Sequence, residues 1–169
     1  MKKLIVGLLF FGLATQFMLA QVIKPIELSE VRVAVNYKYL DAIENKEVAV
    51  PVKMLEEQVA YFNLKESDLY SDEYDTYQVS FYIPEGKIVA AYDEEGKILR
   101  TIERFKNVKL PKSVTMAIVD RFPKWRIVED AYKVDYYGKS GIARKSYKVK
   151  LKNKDKKMTV KLDEDGEFL

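Results

Sequence analysis

Hydrophobic and polar residues alternate along several stretches of this chain and recur at helical spacing along two others. Val31, Val33, Val35, Tyr37 and Tyr39 alternate with Arg32, Ala34, Asn36 and Lys38, which predicts a half-buried strand after an exposed lead-in. Residues 41–50 are charged and turn-like. Pro51 then stands where a first helical residue is favoured, and Val52, Leu55, Val59 and Phe62 follow at spacings of three and four, predicting an amphipathic helix to about Leu64. Beyond the acidic connector ESDLYSDEYDTY, alternation resumes at Tyr77, Val79, Phe81 and Ile83. It turns through Pro84 to Gly86 into Ile88, Ala90 and Tyr92, then through Asp93 to Gly96 into Ile98 and Leu99. A second helix is opened by Pro111 and closed before Pro123, and Tyr147, Val149 and Leu151 with Met158, Val160 and Leu162 form a later hairpin.

The spacing of these signals predicts a duplication. Pro51 and Pro111, Val59 and Val119, and Phe62 and Phe122 are each sixty residues apart. Further on the offset is seventy, pairing Tyr77 with Tyr147, Val79 with Val149, Ile88 with Met158, Asp93 with Asp163, Gly96 with Gly166 and Leu99 with Leu169. A ten-residue insertion in the second copy, within AYKVDYYGKSG around residues 131–141, reconciles the two offsets. The expected architecture is α+β, a tandem repeat of a helix plus an antiparallel β-meander, with helices on one face of the sheet. The expected division is a signal peptide over 1–20, the lead-in and N-terminal strand over 21–44, one repeat over 45–104 and the other over 105–169.

Composition narrows the chemistry. In 169 residues, 48% are hydrophobic and 33% charged, which suits a folded domain with a real core. The opening MKKLIVGLLFFGLATQFMLA has two lysines, an apolar run and a small residue at Ala20, the layout of a secretory signal, and no later stretch is apolar for long enough to span a bilayer. The expected location is therefore periplasmic or secreted, without a lipid anchor because no cysteine follows. The absence of cysteine and histidine removes thiol chemistry, the Ser-His arrangement and most zinc sites. Carboxylates in the acidic connector and at Asp163 to Gly166 fit no calcium loop, and no pair of carboxylates or Ser-Lys pair stands out. No catalytic residue, metal site or cofactor is expected. Charge is segregated: Asp41 to Glu103 carries fifteen acids and six bases, whereas Arg104 to Lys161 carries eighteen bases and five acids.

Tyr92-Asp-Glu-Glu-Gly-Lys-Ile-Leu99, Leu110-Pro-Lys-Ser-Val-Thr-Met-Ala-Ile118 with Phe122-Pro-Lys-Trp125, and Leu162-Asp-Glu-Asp-Gly-Glu-Phe-Leu169 resemble the PepSY-like family, also described as β-lactamase-inhibitor-like, of exported bacterial proteins common in Bacteroidetes-type genomes. The resemblance covers about residues 45–169. It implies a tandem helix-plus-sheet fold, no catalytic residues, and a role in binding or inhibiting another protein.

Two surfaces are candidates for that role. In the first copy Gln78, Ser80, Tyr82 and Val89, with Ala91, are expected on the sheet face away from the helix, a mild, tyrosine-bearing surface suited to protein recognition. In the second copy Lys148, Lys150, Lys152, Lys157 and Lys161 are expected together on the corresponding face, where they would suit an anionic glycan or lipid of the cell envelope, or simply keep a sheet face solvated. The expected function is an exported non-catalytic binding module, monomeric or weakly dimeric, recognising a protein through the first surface; the alternative is an envelope-associated protein using the lysine face. Nucleic acid is not an expected partner.

Overall fold

The computed structural model describes residues 30–44 and 47–169, with side chains from Asn36 onward. The signal-like residues 1–20 and the lead-in over 21–29 lie outside the described residues. The elements are α1 (Glu30–Ile43), α2 (Val50–Ala60), β1 (Thr76–Ile83), β2 (Gly86–Asp93), β3 (Ile98–Lys106), α3 (Lys112–Arg121), β4 (Arg126–Tyr137), β5 (Ile142–Asn153) and β6 (Lys156–Leu162). The strands form one six-stranded antiparallel sheet in the order β1-β2-β3-β4-β5-β6, so every strand pairs only with its neighbours in sequence. This is an α+β fold with the helices on one face of the sheet.

The core follows from alternation. Tyr77, Phe81, Ile88, Ala90, Tyr92, Phe105, Tyr132, Val134, Tyr136, Tyr147, Val149 and Leu151 are buried on one sheet face. They meet Val52, Leu55 and Val59 of α2, Tyr39 and Ile43 of α1, and Val114 and Ile118 of α3. Helix α2 is the one that Pro51 and the three-four spacing predict, although it ends at Ala60 and leaves Leu64 buried in the chain beyond. Helix α3 starts after Pro111, whose carbonyl accepts the Thr115 amide at 3.0 Å. Tyr92 is kept inside by giving its hydroxyl a partner: it donates to the Val59 carbonyl at 2.7 Å, joining β2 to α2.

The segment over 31–39 is a helix, not the expected strand. A strand would place Tyr37 and Tyr39 on the same face, but Tyr37 is 54% exposed and Tyr39 1%. Asn36, Tyr39 and Ile43 are the buried residues, at helical spacings of three and four. Polar Asn36, which strand alternation turns outward, is the element's main anchor. Its Nδ2 donates to the carbonyls of Ala60 and Gly96, both at 3.1 Å, and its Oδ1 accepts the Ile98 amide at 2.8 Å. Its own backbone leaves helical values there (φ −116°, ψ 21°), so α1 is kinked at its anchor.

Strand β3 is longer than the short strand expected at Ile98 and Leu99, running to Lys106. The segment 131–141 lengthens β4 and β5 to twelve residues each, against eight in β1 and β2. Local equivalences hold at the seventy-residue offset. The β1-β2 hairpin closes with Ile83 opposite Gly86, and the β5-β6 hairpin with Asn153 opposite Lys156. Asp93 and Asp163 turn the chain alike: each side-chain Oδ1 accepts the amide four residues on, and Gly96 and Gly166 take φ of 80° and 88°, values that favour glycine. Elsewhere the halves differ, since β4 occupies the place of the acidic connector and β3 is answered after β6 by a single bridge of Leu162 to Phe168.

Asn36→Ala removes one partner from each of three backbone groups and is expected to lower unfolding stability by about 3 kcal/mol, measurable by urea denaturation of the purified protein.

Candidate functional site

Because the helices lie on one face, the opposite face of the sheet is open among the described residues, and strand register fixes what it displays. Gln78, Ala91, Arg100 and Tyr137 form one cross-strand row; Ser80, Val89, Ile102, Asp135 and Arg144 form the next. A third row runs Tyr82, Lys87, Arg104, Lys133 and Ser146, and a fourth Lys106, Ala131, Lys148 and Lys161. Glu129 with Lys150 and Thr159, then Arg126 with Lys152 and Lys157, complete the β4-β6 end. Val89 and Ile102 are half-buried there, while Gln78, Ser80 and Tyr82 are exposed, Tyr82 by 66%.

The structure thus brings Gln78, Ser80, Tyr82 and Val89 together on the adjacent strands β1 and β2, and Lys148, Lys150, Lys152, Lys157 and Lys161 together on β5 and β6. It also joins the two groups. Strands β3 and β4 lie between them and add Arg100, Ile102, Arg104, Lys106 and Lys133, so the two expected surfaces are ends of one basic face. The missed signal is the alternation Arg100, Ile102, Arg104, Lys106 in a segment expected to hold only a short strand. Aromatic rings on this face carry cations: the Arg100 and Arg144 guanidinium carbons lie 5.2 and 5.9 Å from the Tyr137 ring centroid, and Lys87 Nζ lies 5.9 Å from that of Tyr82. The acids of the face are already paired, Asp135 with Lys133 at 2.6 Å and Glu129 with Lys150 at 2.5 Å. The Lys150 ammonium holds the Glu129 carboxyl below its ordinary range. Among the described residues no group of His, Cys, Asp or Glu could hold a metal ion, and no helix is long and apolar enough to cross a membrane.

A second cluster lies inside the helical layer. Glu56 of α2 and Glu103 of β3 are 3% and 0% exposed, and their carboxyl groups adjoin each other. Tyr39 and Thr101 both donate to Glu103 Oε1, at 2.9 and 2.8 Å. Glu56 Oε1 and Glu103 Oε2 are buried with no hydrogen-bond donor. Burial pushes both carboxyls up, Glu56 to about 9 and Glu103 to about 7; the hydrogen bonds to Glu103 favour its ionised form and hold it the lower. Direct contact leaves no room for a sugar and a water between them, which glycosidic chemistry needs. Sequence reading missed both residues, since Glu56 follows Leu55 on the helix and Glu103 stands beside Arg104 like any solvated acid. The only signal was register, with Glu103 in step with the buried Phe105.

The pair sets a pH dependence. Below about 4.5 these carboxyls are protonated whether the chain is folded or not; above it the unfolded chain ionises and the folded one does not, so unfolding releases protons. Stability contributed by the pair is thus complete in acid and falls as pH rises, by up to about 1.4 kcal/mol per pH unit per group, until Glu103 and then Glu56 ionise in the folded state. We expect urea midpoints to drop between pH 5 and 9, and Glu56→Gln to flatten that decline.

Comparison with known proteins adds little to this geometry. No protein-family profile matches the chain, and no curated protein matches it. Among solved structures, the chain is similar to a BLIP-like protein from Bacteroides fragilis at 17% identity, over 59% of this chain and 68% of that one, with a TM-score of 0.32.

Proposed function

We propose that the protein is an exported, non-catalytic binding module that recognises a protein partner through the helix-free sheet face, the partner presenting an acidic surface with apolar contacts at its centre. The carrying observation is the continuity of that face across all six strands, with half-buried Val89 and Ile102 flanked by tyrosines and unneutralised cations. Flat, tyrosine-bearing sheet surfaces supply contact area with little loss of side-chain entropy, and a surplus of one charge steers a partner of the opposite sign. Gln78, Ser80, Tyr82 and Val89 with Arg100 and Arg104 are assigned to contact, and Lys148, Lys150, Lys152, Lys157 and Lys161 to steering. The resemblance of the two Asp-to-Gly turns and the Pro111 helix to PepSY-like proteins, and the signal-like first twenty residues, support the same reading and an exported location, in the periplasm or outside the cell.

The test is capture from native envelope and periplasmic fractions at low and high salt. A protein partner should persist at high salt, weaken at least tenfold with Tyr82→Ala, and associate more slowly when Lys148, Lys150 and Lys152 are changed to glutamate. Capture only of glycan or lipid, at low salt and lost only with the lysine changes, would refute the protein-recognition reading.

A further inference from the structure

On the helical side, away from the open sheet face, α1 and α2 leave between them a groove of about 520 Å³. Leu40, Ile43 and Val48 give it apolar walls, while Asp41 and Glu44 stand exposed beside them. The lysine on its lining, Lys53, faces Glu57 at 4.0 Å. Glu56 also lines the groove, and its carboxyl, though buried, has Glu103 as its side-chain partner. An ionised carboxylate offers about four acceptor positions, and Glu56 Oε1 is buried without a hydrogen-bond partner. A buried acid with spare acceptors, apolar walls and an acidic margin have one complement: a cation carried on a greasy chain.

We infer that the groove between α1 and α2 is a binding site for a primary aliphatic amine, its ammonium group donating to Glu56 and its alkyl chain lying against Leu40, Ile43 and Val48. The site is independent of the sheet face and does not rest on the protein-partner reading. The groups around the Glu56–Glu103 pair set its pH response. Tyr39 faces the pair from α1, Glu57 from α2, Thr101 from β3, Tyr132 from β4, and Lys145 and Tyr147 from β5. Lys145 is itself held elsewhere, donating to the Glu44 carbonyl at 3.2 Å and to Glu164 Oε2 at 2.9 Å, so the nearest internal cation does not fill the role. An arriving ammonium favours the ionised pair; binding therefore strengthens as pH rises from 6 toward 9 and expels a proton, while the amine keeps its own charge until about pH 10.

Titration calorimetry of the mature chain with n-hexylamine tests this, with 1-hexanol and hexanoate as the neutral and anionic matches. Hexylamine should bind saturably, at least tenfold more tightly than hexanol, and hexanoate should not bind. Affinity for hexylamine should rise about tenfold between pH 6 and 8.5, with a heat that depends on the ionisation enthalpy of the buffer. Glu56→Gln, checked for a native circular dichroism spectrum, should abolish both the preference for the amine and its pH dependence. The exposed pair Asp41→Asn with Glu44→Gln should weaken hexylamine several-fold and does not depend on the buried site tolerating change. Equal binding of hexanol, no saturable binding of hexylamine, or undiminished amine affinity in both variants would overturn the inference.

Discussion

A six-stranded meander has two faces, and this chain has helix enough to cover one of them. That constraint arranges the rest of the molecule. The covered face takes the tyrosines, branched aliphatics and both buried acids; the uncovered face must stay soluble while exposing six strands of backbone and side chain to water. It does so with arginine and lysine, which share the face with half-buried positions such as Val89 and Ile102. The segregation of acidic and basic residues along the sequence has its counterpart here: the basic half of the chain supplies β4, β5 and β6 and so much of the open face.

The layer between helices and sheet is unusual in depending on polar anchors. Asn36 bonds to three backbone groups belonging to α2, the β2-β3 turn and β3, while Tyr39 reaches from the same helix to Glu103. Helix α1 is thus tied down by hydrogen bonds at least as much as by its apolar face. A hydrogen bond to a buried group gives modest net stabilisation but a large penalty when one side is removed, so such anchors specify one docking position rather than many. The Glu56–Glu103 pair belongs to the same layer, where α2 meets β3.

Where local pattern and tertiary need agree, the sequence was readable. Pro51 and Pro111 marked helix starts, Tyr77 to Tyr92 alternated as a meander requires, and the Asp93 and Asp163 turns carried their own hydrogen-bond geometry. The failures share a physical origin in residues whose environment is settled by distant partners. Val31 to Tyr39 alternates as a strand would, but the residues that matter are Asn36, Tyr39 and Ile43, and their partners lie more than twenty positions away. Glu56 and Glu103 look like solvent-facing acids until helix and sheet are placed together. The open face was half legible, because Gln78, Ser80, Tyr82 and the β5-β6 lysines followed from alternation, while the bridging arginines of β3 depended on how far that strand continued.

The simple strand order has a consequence for how the molecule forms. Each strand can add to the one made just before it, through a short turn except between β3 and β4, where α3 intervenes, so the sheet can grow from β1 to β6 without waiting for distant segments. The exception is α1, which leads the chain yet packs against β4 and β5. Its docking therefore needs contacts far along the chain, and until β4 and β5 are in place the part of the inner face that α2 does not cover lacks its final partner.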